Sequence, residues 1–215
     1  MSNNSLEIRN YSCEFRADTE SRTIAGLAIP VESRSLLLGD FYEVIRTSAV
    51  NEELIMRNDV KIYLDHDPSQ GVYARSRYGI GSLHLSITER GLEFSFEAPH
   101  SVFGDALLEG INRGDYSEVS FGFYVGKDDW EDNNDGTYTR SILSFAGLEE
   151  ISILGQRAAY PQTDVATRSF ESFKEEQRAK EEEEQKAKEE KEKEIIDRLD
   201  KVMEQVNDLT NKYTV

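Results

Sequence analysis

Cysteine occurs once in this chain of 215 residues, at Cys13, so no disulfide can form within it and a zinc site built on several thiolates is excluded. Basic residues are outnumbered, with 25 Lys and Arg against 42 Asp and Glu and a net charge of −17. That surplus of acid argues against a phosphate backbone as partner. No apolar run approaches membrane-spanning length, and the opening MSNNSLEIRNYS is polar where a signal peptide would be apolar. The chain therefore reads as soluble, suited to a reducing compartment, with neither nucleic acid nor a membrane among its expected partners. Prolines number four and histidines three, so each proline marks a boundary and each histidine can be weighed individually.

What is present is enough apolar material for a core: 38% hydrophobic residues, with 10 Phe, 10 Tyr and 1 Trp. Most of it alternates at the period of a strand. Leu6–Phe15 and Arg22–Ile29 read as two strands paired as a hairpin around the polar turn Asp18–Ser21, the second closed by Pro30. Ser33–Asp40 reads as a loop and Phe41–Arg46 as a strand. Ser48 is a candidate N-cap for a short helix through Met56. Val60–Asp67 is a strand that runs into Pro68. Ile80–Glu89 and Gly91–Ala98 form a hairpin with Arg90-Gly91 at its turn. Ser101 caps a helix whose apolar stripe is Val102, Phe103, Ala106, Leu107, Gly110 and Ile111, stopped by Gly114. Ser117–Val125 is a strand, Asp128–Gly136 an acidic loop, and Thr137–Phe145 and Leu148–Leu154 are two further strands. Strands outnumber helices, which predicts a mainly β fold: an antiparallel, barrel-like domain ending near Arg168, with one or two packed helices.

Beyond it the composition changes. Lys174–Glu194 holds only Glu, Lys, Gln, Arg and Ala, the make-up of a charged helical linker over 169–194. Ile195, Leu199, Val202, Val206, Leu209 and Tyr213 then recur at heptad spacing, predicting a short coiled coil over 195–215. Fully helical, the residues from Glu171 onward would extend roughly 68 Å. Self-association or docking on a partner helix is the functional reading; a weakly associating, solubilising helix is the plainer one.

Few residues are candidates for chemistry. In Ser117–Val125 (SEVSFGFYV), Val119, Phe121, Phe123 and Val125 share an apolar face, and Ser120, Gly122 and Tyr124 share the other. Ser120 is thus a small hydroxyl on an anchored strand beside a glycine, suited to a nucleophile, although serines on strands are common and mostly inert. His84 sits mid-strand on a polar face, and His100 precedes a helix cap. His66 differs: it lies where a strand ends, between Asp65 and Asp67. A metal reading of that triplet is weak, because adjacent strand residues point to opposite faces and no second histidine cluster completes the shell. In GLEEISIL, Glu150 and Ser152 fall on the face away from Ile151 and Ile153. A carboxylate there could orient an imidazole, or could be an ordinary edge-strand glutamate.

Taken in order, RTIAGLAIP, FYEVI, IYLDHDPSQG, ERGLEFSFEAP, the glycine-ended helix, SEVSFGFYV and LEEISILGQRAAYPQTDV resemble the prohead (procapsid) maturation proteases of tailed bacteriophages, across most of Arg22–Arg168. The resemblance implies a serine endopeptidase with a fold similar to that of the herpesvirus maturation proteases and with no cofactor. It assigns Ser120 as nucleophile, His66 as general base and Glu150 as the third member of the triad. It implies action in the host cell cytoplasm, inside the assembling procapsid. Its implied partners are the major capsid protein with its scaffold segment, and the portal protein, with autocleavage as a further expectation. Two positions depart from the family pattern: Ala158 replaces a proline before Ala159-Tyr160-Pro161, and Val72–Arg75 replaces a glycine–arginine step. A catalytically inactive assembly or scaffolding factor, acting through the coiled-coil tail, is the alternative.

Overall fold

Hydrophobic alternation in the first two-thirds of the chain becomes eleven strands among the described residues. The computed structural model describes residues 5–12, 15–155 and 164–213, the last without side chains at 164–168, 197, 200, 202 and 204–213. Along the described residues lie β1 (Glu7–Ser12), β2 (Arg16–Asp18), β3 (Thr23–Pro30), β4 (Phe41–Ile45), α1 (Glu52–Arg57), β5 (Asp59–Leu64) and β6 (Ala74–Arg77). These are followed by β7 (Ile80–Gly81), β8 (Leu83–Thr88), β9 (Gly91–Glu97), α2 (Val102–Arg113), β10 (Glu118–Asp132), β11 (Tyr138–Leu154) and α3 (Asp164–Tyr213). The fold is mainly β with helices, as the periodicity implies, but the described strands do not close into a barrel. They form two sheets. One has the order β1-β10-β11-β5-β6-β7 with β4 also on β11, and the other has the order β2-β3-β9-β8. A shared core joins them: Ile24, Leu92, Phe94 and Phe96 from the small sheet belong to the same buried cluster as Val119, Phe121, Ile151 and Ile153 from the large one.

Strand alternation identifies faces but not partners, and the partners are where the structure departs from expectation. Leu6–Phe15 does not hairpin with Arg22–Ile29; β1 pairs antiparallel with β10, and the short β2 supplies the hairpin partner of β3. Not every pairing is antiparallel. β4 and β5 lie one after the other along a single edge of β11, both parallel to it. Tyr138–Leu154 is one long strand in place of two, because repeated register shifts in the middle of the β10–β11 pair absorb the irregularity around Ala146-Gly147. The acidic stretch from Asp128 continues β10 as far as Asp132; Arg140 binds Asp128 at 2.7 Å and Phe41 packs edge-on against Trp130.

The helices show the same mixture. Asn51, not Ser48, caps α1 by accepting from the Leu54 amide, while the Ser48 hydroxyl donates to the Leu143 carbonyl. Ser101 and Gly114 bound α2 as expected, Gly114 in the left-handed conformation. Leu107, Gly110 and Ile111 of the expected stripe are buried, joined by Gly104 and Leu108, but Ala106 is exposed and Val102 and Phe103 are 81% and 60% exposed. Gly104 causes the rotation. A Cβ there would lie 2.0 Å from the Pro99 carbonyl oxygen, so the helix can approach Pro99 only along this glycine.

The chain divides into two units, Met1–Arg168 and Ser169–Val215. The second is helical throughout its described length, and its described side chains are mostly exposed, with i,i+4 contacts such as Gln185 to Glu189 at 3.0 Å. Ile195 and Leu199 of the heptad pattern are exposed; the side chains of Val202, Val206, Leu209 and Tyr213, and all of Ala158–Pro161, lie outside the described residues. No helix among the described residues is long and apolar enough to cross a membrane.

A buried ion network fastens β1 and β4 to the β10–β11 pair. Arg140 binds Glu7 at 2.9 Å, Glu43 at 3.1 Å and Asp128 at 2.7 Å, and Arg9 binds Glu7 at 2.6 Å and Glu43 at 2.7 Å. Burial alone would raise the Glu43 carboxyl, but the Arg9 guanidinium, supported by Arg140, holds it below its ordinary 4.5. The stabilisation from Glu43 is therefore complete above about pH 4.5 and is lost as pH falls below it. Arg140→Met leaves the acids of this network one cation short, so it is expected to cost about 3–5 kcal/mol and to flatten that acid limb. Urea denaturation between pH 3 and 7 measures both.

Candidate active site

Three neighbouring strands of the large sheet, in the order β10-β11-β5, carry the candidate residues. β10 is anchored by Val119, Phe121 and Phe123, all essentially inaccessible. That fixes Ser120 and Gly122 on the opposite face. Their register partners on β11 are Ser152 and Glu150, so all four share one side of the sheet. A bulge makes this arrangement compatible with the core. Gly122 pairs with Glu150 and Phe123 with Leu148, leaving Glu149 without a partner on β10. The extra residue lets Leu148 join Ile151 and Ile153 in the core while Glu150 stays on the Ser120 side.

His66 arrives from the third strand. β5 ends at Leu64, level with Ile153, and the next two residues adopt left-handed conformations, Asp65 at φ 48° and His66 at φ 59°. Such backbone is uncommon for residues with a β-carbon and persists where its surroundings enforce it. Here both flanking aspartates do so. The Asp65 amide donates to the Ile153 carbonyl at 3.0 Å, and its Oδ1 accepts from the Gly155 amide at 2.9 Å. Asp67 accepts from the Ser69 hydroxyl at 2.6 Å, from Gln70 at 3.0 Å and from the Ser69 amide at 2.9 Å, which holds its carboxyl below the usual range. The aspartates thus shape the turn, and among the described residues no group of three His, Cys, Asp or Glu side chains is placed to hold a metal.

The turn directs the imidazole back over the sheet, where His66 Nδ1 lies 2.5 Å from Glu150 Oε1. This is a short contact between residues 84 positions apart. The His66 side chain is 28% exposed and that of Glu150 11%. Gly122 makes room for the carboxylate: a Cβ at that position would lie 3.2 Å from Glu150 Cγ and 3.4 Å from a Leu6 methyl.

Ser120 lies on the face that the alternation gives it, with a feature the alternation does not show. It faces away from the Val119/Phe121/Phe123 core, but it is 0% exposed and its Oγ has no hydrogen-bond partner among the described residues. The same holds for Ser152 beside it. No hydrogen bond joins Ser120 to His66. The structure thus brings His66 and Glu150 together, puts Ser120 on the adjacent strand of the same face, and keeps its hydroxyl covered. His84 and His100 lie elsewhere, His100 on the exposed carboxylate of Glu97 at 3.1 Å. A cleft between β1 and the Ser33–Leu38 loop is lined by none of these residues.

The family described as caudovirus prohead serine protease matches residues 6–176. The chain belongs to that family. No curated protein matches it. A solved structure of the bacteriophage T4 capsid assembly protease, gp21, is 11% identical, covers 70% of this chain and 97% of its own, and superposes with a TM-score of 0.43. In this member of the family, sequence reasoning recognised the space beside Ser120 that Gly122 provides, but missed that Glu150 fills it. It also missed the part the two aspartates play in building the His66 turn. The left-handed backbone could have been suspected from the Asp-His-Asp-Pro order, since aspartate tolerates that conformation and proline then restarts the chain.

Gly122→Val is expected to displace the Glu150 carboxylate without unfolding the sheet. The hydrogen-bonded Nδ1 proton of His66, expected downfield in a proton NMR spectrum of wild type, should disappear in the variant while the far-ultraviolet circular dichroism stays the same.

Proposed function

We propose that this chain is the serine endopeptidase of capsid maturation in its virus, cleaving the scaffold segments of capsid and assembly proteins inside the procapsid, and cleaving itself. Ser120 is the nucleophile, His66 the general base and Glu150 the residue that orients it. The 2.5 Å contact between His66 Nδ1 and Glu150 Oε1 carries the reading, because it leaves Nε2 as the nitrogen that can take a proton. Ser120 Oγ attacks the peptide carbonyl while its proton passes to His66 Nε2. The imidazolium that forms is stabilised by Glu150 and gives the proton to the departing amine. Water, deprotonated by the same nitrogen, then hydrolyses the acyl-enzyme.

The reaction requires that Ser120, fully covered in this conformation, become reachable. That burial is also the observation that favours the second reading, a catalytically inactive assembly factor whose β domain and tail serve as scaffold. Intact-mass analysis separates the two. Wild-type protein co-expressed with its capsid protein should show trimmed products, and Ser120→Ala should leave both chains whole. Identical masses in the two preparations would leave the assembly factor standing. Glu150→Gln should retain the fold and lower kcat about 1,000- to 10,000-fold.

The helix from residue 169 supplies the targeting half of the proposal: the heptad positions Ile195 and Leu199 are exposed, and pairing with a helical scaffold or with a second copy would cover them. Deleting residues 171–215 should preserve peptide hydrolysis and abolish incorporation into procapsids, measured by counting protease copies in purified particles.

A further inference from the structure

Three side-chain hydroxyls among the described residues are buried without a hydrogen-bond partner: Ser76, Ser120 and Ser152. A buried, unpaired polar group is rare enough in folded proteins to need a reason. For Ser76 the neighbouring register positions, Val60 and Gly81, offer no polar side chain. The other two face one another, since Ser152 on β11 is the register partner of Ser120 on β10. Both are 0% exposed, so neither hydroxyl is satisfied by solvent.

Ser152 also occupies the ground between base and nucleophile. β11 separates β10 from β5, and adjacent strands lie about 4.8 Å apart, so the strand that delivers His66 is roughly 9.6 Å from the strand that carries Ser120. An imidazole held on Glu150 reaches toward Ser120 only by crossing over β11, and the β11 residue level with Ser120 is Ser152. Directly opposed antiparallel residues have Cβ atoms about 4.5–5.5 Å apart. One χ1 rotation in either serine therefore brings the two oxygens within hydrogen-bonding distance.

We propose that Ser152 is a positioning residue for the nucleophile. In the reactive arrangement its O–H donates to Ser120 Oγ, which fixes the Ser120 rotamer and directs the Ser120 proton to His66 Nε2. Ser152 keeps its own proton throughout. The bond that forms is from Ser120 Oγ to the carbonyl carbon, whose π pair moves onto its oxygen; the bond that breaks is the Ser120 O–H bond, its proton passing to His66 Nε2 and from there to the departing amine. A serine at this position supplies a donor and is small enough for the imidazole to pass above it. This inference rests on the assignment of Ser120 as nucleophile.

The test uses the full-length protein and a fluorophosphonate probe, which phosphonylates activated serines, with kinact and KI measured separately and the labelled residue identified by mass spectrometry. Ser152→Ala should lower kinact about 10- to 100-fold with KI unchanged, at an unaltered melting temperature and with the downfield His66 proton retained. Ser152→Thr, which keeps the hydroxyl, should fall within about threefold of wild type, and the isosteric Ser152→Val should be as slow as the alanine variant. Wild-type kinact in Ser152→Ala would overturn the proposal, as would equal slowing by Thr and Val in folded variants. Should both branched variants fail to fold, the alanine variant decides alone. Absence of Ser120 labelling in wild type would remove the nucleophile assignment as well, whereas wild-type labelling that Ser152→Ala leaves unaffected would remove only the role of Ser152.

Discussion

The pairing of β10 with β11 is the constraint on which the rest of the domain depends. Its register sets Ser120 against Ser152 and Gly122 against Glu150, so one hairpin determines four of the residues that face the site. The other edge of β11 then receives β4 along its first residues and β5 along its last, and β5 delivers His66. The apolar residues of the same two strands, Val119, Phe121, Phe123, Ile151 and Ile153, form the floor of the core. One face holds the domain together and the other carries the candidate site, a division that a strand makes possible and a helix would blur.

Charge performs at one end of this hairpin what apolar packing performs at the other. Arg140 is buried with Glu7, Glu43 and Asp128 around it, and Arg9 shares two of those carboxylates. These groups belong to β1, β4, β10 and β11, so the network specifies which strands lie side by side where alternation alone is ambiguous. Buried ion networks add little net stability over apolar residues of the same shape. Their directional hydrogen bonds nonetheless penalise a misplaced edge strand, because any wrong neighbour leaves a charge unpaired.

Local chemistry was legible in the residues, and long-range pairing was not. Alternation in SEVSFGFYV placed Ser120 opposite the phenylalanines, Ser101 and Gly114 bounded α2, and Thr88–Gly91 marked the β8–β9 turn; each depends on neighbours a few residues away. The partnership of β1 with β10, the parallel docking of β4 and β5, and the continuity of β11 across Ala146-Gly147 depend on contacts that periodicity does not encode. The exposed Val102 and Phe103 show the same limit on a helix, where Gly104 and the Pro99 carbonyl choose the buried face. At the site, a polar strand face predicted which way Ser120 points but not that its hydroxyl would be covered, since alternation says nothing of what lies above a sheet. The approach of His66 to Glu150 came from ordered family motifs for its identity and from the left-handed Asp65-His66 turn for its geometry.

That turn is stapled to β11 through the Ile153 carbonyl and the Gly155 amide, which has a consequence for how such a chain can diversify. The turn around Asn133–Gly136, at the far end of the same hairpin, can gain or lose residues without altering any pairing near Ser120. Between Glu150 and Leu154, where β11 pairs without a bulge on both edges, a single insertion would set the strand's two faces out of phase across it and drag the histidine turn out of step with Glu150 in the same event. Length variation in descendants of this sequence should therefore accumulate at one tip of the hairpin and be absent from the other.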